Sequence, residues 1–253
     1  MIKSKKLSKF KRIEHGFFNQ KGGKSIGIYK SLNCGIGSSD TKKNILSNLR
    51  IVCKKIKTTP KRLVLLNQIH SNKFYCIKKN YKFNKKKLKG DALITDVKNI
   101  AIGILTADCV PILIYDKNRK IISAIHAGWK GAYKGITNKV VKFLIKKGSD
   151  PEDLIVAIGP CISKKNYEVQ KDFKDKFIKK NKQNKKFFNK RKKKTYFSLN
   201  NYIYSQLKKL NVKNLEIIKK DTFDSNNNFF SARRSIQNKE NDYGRNISVI
   251  MIN

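Results

Sequence analysis

Apolar residues form short continuous runs through the middle of the chain, and polar turns separate these runs. Runs without alternation are typical of strands that are buried on both faces of a sheet. The runs predict strands at 63–69, 74–78, 92–95, 100–106, 111–115, 121–125 and 154–158, with closing strands at 215–218 and 247–252. The Lys-rich stretch 81–90 is predicted to be a loop.

Helical periodicity replaces these runs after residue 129. The apolar positions within 136–144 are spaced i, i+4, i+7 and i+8, which is the stripe of an amphipathic helix, and Gly148 ends it. Ser198 is predicted to cap a second helix that runs to residue 210. The Lys- and Asn-rich stretch 171–194 is predicted to be a solvated helix and loop, because a run of like charges is usually exposed to water.

The order of these elements indicates the fold class. The chain has 253 residues, of which 39% are hydrophobic, and it contains no internal repeat and no linker rich in Pro, Gly or Ser. This length suits one α/β domain with a core of ordinary size. We predict a single α/β domain over residues 1–253, with a mixed β-sheet covered by helices in an α/β/α layered sandwich.

The net charge of +42 raises the question of a nucleic-acid partner. Only eight of the 59 basic residues are arginines, and the lysines are spread over nearly every polar segment. Specific base contacts favour arginine, so a solvated surface is the preferred interpretation and no specific nucleic-acid partner is expected. Such a surface still attracts anionic substrates.

Cysteine usage and the terminal segment indicate the compartment. The chain has five cysteines, an odd number, so a disulfide scaffold is not expected. The basic first residues lack a following apolar segment, and no apolar run approaches the length of a membrane span. We therefore expect a cytoplasmic protein without a membrane partner, whose oligomeric state the sequence leaves open.

Three side chains with metal-binding chemistry follow apolar runs. His70 and His126 come directly after predicted strands, and so does Cys109, whereas His15 precedes Gly16 and is predicted to be a turn residue. Strand ends are where ligand sites gather in α/β sheets, and zinc prefers imidazole and thiolate ligands. The three are far apart in sequence and match no short zinc motif, so satisfied core histidines and a buried thiol stay open as the alternative.

Several segments together resemble the laccase-domain family, also called multicopper polyphenol oxidoreductases. They are LNQIH at 66–70, GDALIT at 90–95, TADCVPI at 106–112 and HAGWKG at 126–131, with LNCG at 32–35, IGPCI at 158–162, YEV at 167–169, FFSARR at 229–234 and YGR at 243–245. The family's YfiH-like members are described as purine nucleoside phosphorylases. Each motif is weak alone, but their common order over most of the chain is specific.

The resemblance implies a Zn²⁺ site formed by His70, Cys109 and His126, to which copper can also bind in vitro. It implies phosphorolysis of adenosine, inosine and methylthioadenosine to the free base and (methylthio)ribose 1-phosphate, with adenosine deamination as a side activity. Purine nucleosides and phosphate are then the partners. Many members carry cysteines before the FFS motif, where this chain has DTFD at 221–224, and this departure weakens a multicopper interpretation.

Two further residues are predicted to act near the metal. Asp108 adjoins Cys109 and is the catalytic candidate, as a proton shuttle or a partner of a ligand. A carboxylate that only caps the following turn is the alternative, and the sequence does not separate the two. Gln68 lies two residues before His70, so strand alternation places both on the side of the pocket, and Gln68 is predicted to bind substrate.

Arg233 and Arg234 are predicted to bind phosphate, because the guanidinium fork suits phosphate better than an ammonium group does. An exposed pair on a loop is the alternative. Trp129 either stacks on a purine or packs in the core, and packing is preferred.

Three other functions remain in competition. A copper-dependent phenol oxidase would use the same His and Cys ligands. A cysteine-dependent amidase or hydrolase would use a thiol as its nucleophile. A basic nucleic-acid binder is the least favoured, because the chain contains no nucleic-acid motif.

Overall fold

The strands of this protein form three sheets in the computed structural model, which describes residues 1–82 and 88–253. The strands in chain order are β1 (Ile13–Phe17), β2 (Leu63–Leu65), β3 (Phe74–Ile77), β4 (Ala92–Thr95), β5 (Ala101–Thr106), β6 (Val110–Asp116), β7 (Ile121–Ala127), β8 (Leu154–Ile158), β9 (Glu168–Val169), β10 (Phe188–Arg191), β11 (Lys194–Phe197), β12 (Asn214–Ile217) and β13 (Asn246–Ile252). The α-helices are α1 (Lys42–Lys55), α2 (Trp129–Tyr133), α3 (Ile136–Lys146), α4 (Lys171–Lys180), α5 (Leu199–Lys208) and α6 (Ala232–Gln237).

The two large sheets are both mixed. The six-stranded sheet has the order β12-β8-β6-β7-β4-β3, in which the two outer pairs are parallel and the inner pairs antiparallel. The four-stranded sheet has the order β1-β13-β5-β2, in which only β2 and β5 are parallel. The small sheet, β10-β11-β9, is antiparallel.

The two large sheets pack face to face, with helices on their outer faces. Leu113 on β6 belongs to the same buried cluster as Ile102 on β5, so that cluster lies between the sheets. Ile112, the neighbour of Leu113, packs instead in the cluster that contains residues of α3 and α5. Ala101, the neighbour of Ile102, packs in the cluster that contains residues of α1. The strands are thus buried on both faces, which explains their continuous apolar runs.

The prediction of a single α/β domain with mixed sheet covered by helices is confirmed, with one refinement. The strands of the core are divided between the two large sheets, so the layers run helix, sheet, sheet, helix. A continuous apolar run records burial on both faces, but it does not say whether a helix or a second sheet provides that burial. The predicted strands 92–95 and 154–158 have the observed bounds, whereas the predicted strand 63–69 is only Leu63–Leu65.

The stretch 171–194 is mostly exposed, as its charge predicts, but a few buried aromatic side chains anchor it. It contains α4, a 3₁₀ helix (Lys182–Phe187) and the hairpin strand β10, and Phe177 is fully buried. The ring of Phe177 stacks on that of Phe173 at 4.8 Å between centroids, and it contacts Phe197 at the same distance. The prediction of a solvated helix and loop is therefore confirmed for most of the stretch, whereas strand β10 and the aromatic anchors were not predicted.

Strand β1 and helix α1 are among the elements that have no counterpart in the prediction. Strand β1 carries Glu14, His15 and Gly16, so its composition is not that of a strand, yet all five of its residues are buried. The sequence predicts that His15 is a turn residue, but this prediction is wrong, because His15 lies within strand β1. Helix α1 lies among lysines and asparagines and buries only a narrow stripe. Of the predicted loop 81–90, residues 83–87 lie outside the described residues.

No helix among the described residues is both long enough and apolar enough to cross a membrane. The longest α-helix described, α1, has 14 residues, and a span needs about 20 apolar ones.

Candidate metal and substrate site

Two strand ends and one loop meet at one edge of the six-stranded sheet. Cys109 directly precedes β6, and His126 lies near the end of β7. The antiparallel pairing places Pro111 opposite His126, so Cys109 and His126 are neighbours across the two strands. His70 lies in the loop between β2 and β3, where its backbone adopts a left-handed conformation with φ of 54°.

The ligand atoms of His70, Cys109 and His126 all lie within 4.8 Å of one another. The Cys109 sulfur is 3.9 Å from Nε2 of His70. The two imidazole rings meet edge to face, with centroids 4.8 Å apart. Zinc bonds to nitrogen and sulfur are about 2.0–2.3 Å long, so a small contraction brings all three atoms onto one ion. The cluster can therefore hold a metal.

The carboxylate of Asp91 supports two of these residues from behind. Its Oδ1 lies 2.9 Å from Nδ1 of His126 and accepts the backbone N–H of His70 at 3.0 Å. Its Oδ2 accepts the backbone N–H and the hydroxyl of Ser71. Burial opposes the ionisation of Asp91, but the bonds from His126 and Ser71 outweigh it and lower the pKa of this carboxyl. Sequence reasoning missed this role, although Asp91 stands in the GDALIT motif.

The half-buried thiol of Cys109 and the buried imidazole of His126 favour each other's charged form. Burial opposes the thiolate of Cys109, but His126 and His70 overcome this effect and lower the pKa of Cys109 to about 7. Burial likewise opposes the imidazolium of His126, but Cys109 and Asp91 raise the pKa of His126 to about 9. Without a metal, the pair therefore favours thiolate and imidazolium. A divalent cation bound at the thiolate would take over the role of that imidazolium charge.

Gly128 leaves room for the cluster. A Cβ atom at this position would lie 2.8 Å from Cδ2 of His70 and 2.9 Å from the sulfur of Cys109. Those distances are below ordinary van der Waals contact, so a side chain here would displace both ligands. Gly128 also directly precedes α2, and the turn lets the chain leave the site at once.

Two clefts meet at Cys109. The first, which we call the Arg245 cleft, has a volume of about 460 Å³ and contains all three cluster residues. Other side chains in its wall are Gln68, Lys89, Tyr243 and Arg245. The second, the Trp129 cleft, has a volume of about 240 Å³. Its wall is aromatic and apolar apart from two charged residues, and it consists of Asp108, Cys109, Trp129, Ile162, Tyr167, Leu199, Ala232, Arg233 and Ile236.

Residues 14–253 match the family model described as multi-copper polyphenol oxidoreductase laccase. The chain belongs to this laccase family. The resemblance on which the sequence interpretation depends is thereby confirmed.

Relatives of this laccase-family chain include named enzymes. A purine nucleoside phosphorylase of Rickettsia prowazekii is 31% identical over 227 residues, which cover 89% of this chain and 90% of the relative. One of Bacteroides thetaiotaomicron is 34% identical over 186 residues, or 71% of this chain and 69% of the relative. Among solved structures, the protein YfiH of Bacillus licheniformis is 29% identical and superposes with a TM-score of 0.87, covering 95% of this chain and 93% of its own.

One metal, not several, fits this member of the laccase family. Within residues 1–82 and 88–253, the group of His70, Cys109 and His126 is the one set of three or more His, Cys, Asp or Glu side chains with metal-binding geometry. The segment 221–224, where many family members carry cysteines, has none in this chain. Its Asp221 accepts hydrogen bonds from the Ser163 hydroxyl and the Asn166 amide. This carboxylate holds a turn, and the segment supplies no soft ligand for further coppers.

The side chain of Asp108 is fully engaged. It accepts hydrogen bonds from the Thr222 hydroxyl at 2.6 Å, the Ser231 hydroxyl at 2.9 Å and the backbone N–H of Arg233 at 2.7 Å. Burial raises the pKa of Asp108, and these three donors oppose the rise. The carboxylate thus caps the first turn of α6, as in the structural alternative, while its shuttle role stays a prediction.

The amide of Gln68 bonds to the β5 backbone. Its Nε2 donates to the Leu105 carbonyl and its Oε1 accepts the Leu105 N–H, each at 2.7 Å. The residue lies in the wall of the Arg245 cleft next to His70. Gln68 is therefore at the site, where its amide fixes one wall of the cleft.

The two adjacent arginines face different surroundings. The Arg234 guanidinium donates to the backbone carbonyls of Thr222, Phe223 and Phe229, and this residue lies in the wall of neither cleft at Cys109. Arg233 lies in the wall of the Trp129 cleft and donates to the Glu168 carbonyl. The structure therefore brings Arg233 to the site but not Arg234.

Trp129 both packs and borders a cleft. Its ring meets that of Phe173 at 5.1 Å, so the predicted packing role is confirmed. It also forms part of the wall of the Trp129 cleft.

Proposed function

We propose that this chain, as one laccase-family domain over residues 1–253, is a zinc-dependent purine nucleoside phosphorylase of the cytoplasm. Its substrates would be adenosine, inosine and methylthioadenosine, which it would cleave to the free base and (methylthio)ribose 1-phosphate. Deamination of adenosine would be a side activity. The observation that carries the proposal is the His70, Cys109 and His126 cluster, which lies where two clefts meet in a chain whose relatives bear the name purine nucleoside phosphorylase.

The donor set supports zinc as the resident metal. Two imidazoles and one thiolate are ligands that Zn²⁺ prefers, and three protein ligands leave a fourth position for a substrate or water. When bound, such an ion would polarise an oxygen atom of a bound group or lower the pKa of a bound water. Copper binds such ligands more tightly than zinc, so it can occupy the cluster in vitro.

The Trp129 cleft supports recognition of a purine base. Its wall combines the aromatic side chains of Trp129 and Tyr167 with the aliphatic side chains of Leu199 and Ile236. Ile236 is 66% exposed, so the cleft presents an apolar side chain that a bound ligand would cover. A planar base stacks well on such walls, and Arg233 supplies donors at their edge.

Phosphorolysis needs a nucleophile placed behind the ribose C1′ and an acid that assists departure of the base. Asp108 is the catalytic candidate, because it directly precedes Cys109 and lies in the wall of the Trp129 cleft. Gln68 and Arg233 are the candidates for substrate binding, since each lies in the wall of a cleft at Cys109.

The decisive experiment is to incubate metal-loaded protein with adenosine or inosine, with and without phosphate, and to identify the products by chromatography. We expect ribose 1-phosphate and free base only when phosphate is present, and inosine from adenosine in its absence as the side activity. Cys109→Ala should lose both reactions and the bound metal. Absence of nucleoside cleavage in metal-loaded protein, or full activity of Cys109→Ala, would contradict the proposal.

One observation favours a second candidate, a cysteine-dependent hydrolase or amidase. Cys109 has a lowered pKa, and His126 beside it is held by Asp91 at 2.9 Å, which is the arrangement of a thiol nucleophile with its base. A chelator separates the two functions. It should abolish phosphorolysis, whereas a thiol hydrolase would keep or gain activity without metal.

A further inference from the structure

Arg245 borders the cleft that contains the candidate metal ligands, although sequence reasoning assigned it no role. It lies in the wall of the same cleft as His70, Cys109 and His126. Among the described arginines, only Arg245 and Arg233 border a cleft that reaches Cys109. Arg245 belongs to the YGR motif at 243–245.

A second motif, LNCG at 32–35, holds the backbone of Arg245 in place. The backbone N–H of Arg245 donates to Oδ1 of Asn33 at 2.9 Å, and its carbonyl accepts the N–H of Cys34 at 3.1 Å. Gly35 lies under the side chain, since a Cβ there would come within 2.4 Å of Cδ of Arg245. The segments 32–35 and 243–245 therefore pack against each other, and this contact restricts the position of the Arg245 side chain.

One edge of the Arg245 guanidinium is held by hydrogen bonds, and the other edge has no acceptor among the described residues. Its Nη1 donates to Oδ1 of Asp242 at 3.2 Å and to the Tyr243 carbonyl at 2.6 Å, and its Cζ lies 4.5 Å from the centre of the Tyr243 ring. Within the described part of the chain, Nε and Nη2 have no acceptor. The side chain is 23% exposed, so it is confined and still reachable from the cleft.

The charge of the Arg245 cleft is positive. Lys89 is a second cation in its wall, and no carboxylate belongs to the described wall. The free edge of a guanidinium presents two parallel N–H donors, which match two oxygens of a phosphate. An exposed lysine adds a point charge without a fixed geometry.

We propose that Arg245 is the phosphate-binding residue of this site and that Lys89 assists it. This inference rests on the proposed phosphorylase function. In the reaction, an oxygen of inorganic phosphate would form a bond to C1′ of the ribose as the glycosidic C1′–N bond breaks. The electron pair of that bond leaves with the purine, which takes up a proton. The phosphate group of the product, ribose 1-phosphate, then occupies the same subsite.

The test compares Arg245→Gln with Arg62→Gln, an equal loss of charge at an exposed arginine outside both clefts. Binding of inorganic phosphate and of ribose 1-phosphate is measured by calorimetry at fixed ionic strength, and KM for phosphate is measured at saturating inosine. Loss of a charge-assisted bidentate contact should weaken phosphate binding and raise this KM about tenfold or more. Arg62→Gln should leave both unchanged. Equal phosphate affinity of Arg245→Gln and the unaltered protein would overturn the inference.

Arg245→Lys keeps the charge and most of the stem, so it serves if Arg245→Gln does not fold. It should also raise KM for phosphate, because an ammonium group does not bond in a bidentate manner. If Arg245 variants lose phosphate binding but the unaltered protein cleaves no nucleoside, the subsite stands and the proposed function fails. If nucleosides are cleaved and KM for phosphate is unchanged in Arg245→Lys, the function stands and the inference fails.

Discussion

Asp91 and His126 form a buried pair at 2.9 Å behind the candidate metal site. The contact directs Nε2 of His126 towards Cys109, because Nδ1 is engaged by the carboxylate. The same carboxylate oxygen bonds to the backbone of His70, so one residue orients two of the three ligands. Carboxylates that hold a ligating histidine in this way fix its tautomer and raise its basicity.

Asp91→Asn should lower zinc affinity about 10–100-fold, which is the usual effect of losing such a partner. The amide keeps the volume of the side chain but loses its charge and one acceptor. Competition with a chromophoric chelator measures the affinity, and a melting curve of the metal-free protein checks the fold. Asp96→Asn, an exposed carboxylate just after β4, is the matched control and should bind zinc normally. Unchanged affinity of a folded Asp91→Asn protein would refute the orienting role.

Gly128→Ala should remove metal binding while leaving most of the fold intact. The added methyl group would lie under 3 Å from His70 and Cys109, so the ligands must separate. Gly37→Ala is the control, because it alters the same Arg245 cleft at a position where a Cβ meets no atom within 4 Å. Zinc content after dialysis, measured by atomic absorption, distinguishes the two variants. Stoichiometric zinc in Gly128→Ala would show that the cluster tolerates the methyl group.

His15 should make the fold sensitive to acid. Its side chain is buried in β1, where Nε2 accepts the Ser4 N–H and Nδ1 has no partner in the described residues. Burial, assisted by Lys3, lowers the pKa of His15 from 6.5 to about 4. The unfolded chain therefore binds more protons between these values, so this stabilisation is complete above pH 6.5 and is lost as the pH falls towards 4.

Urea unfolding at pH 7.5 and pH 5 measures this effect. The free energy of unfolding should fall by about 2 kcal/mol more in the unaltered protein than in His15→Gln, which lacks the titrating group. Other titrating groups are common to both proteins and cancel in the comparison. Identical pH dependence of the two proteins would show that His15 is not held neutral by burial.

Arg234→Ala should lower the stability of the fold without changing KM for phosphate. Its guanidinium donates to three backbone carbonyls around α6, and its removal leaves them without that partner. We expect a loss of about 1–3 kcal/mol in the free energy of unfolding, with KM for phosphate unchanged. Arg62→Ala, at an exposed position, should change neither quantity. A raised KM for phosphate in stable Arg234→Ala protein would instead support the sequence prediction that Arg234 binds phosphate.

Much of the central sheet follows from the sequence alone. Strands β4 and β8 have the predicted bounds because every one of their residues is buried, so the apolar run and the strand coincide. Strand β1 and helix α1 could not be predicted from apolar runs. β1 is buried through its pairing with β13 while carrying Glu14 and His15, and the buried stripe of α1 includes the polar residue Asn48.

The sequence by itself determined the identity of His70, Cys109 and His126 as candidate ligands, because rare residue types follow apolar runs within specific motifs. Only the tertiary structure decided which polar residues support them. The register that pairs Ala92 with Ile125 brings Asp91 beside His126, and the contact between two distant motifs holds Arg245 in the wall of the same cleft as the three candidate ligands. Apolar periodicity records how deeply a residue is buried, but the partner of a buried polar group depends on strand pairing and loop packing, which no local pattern encodes.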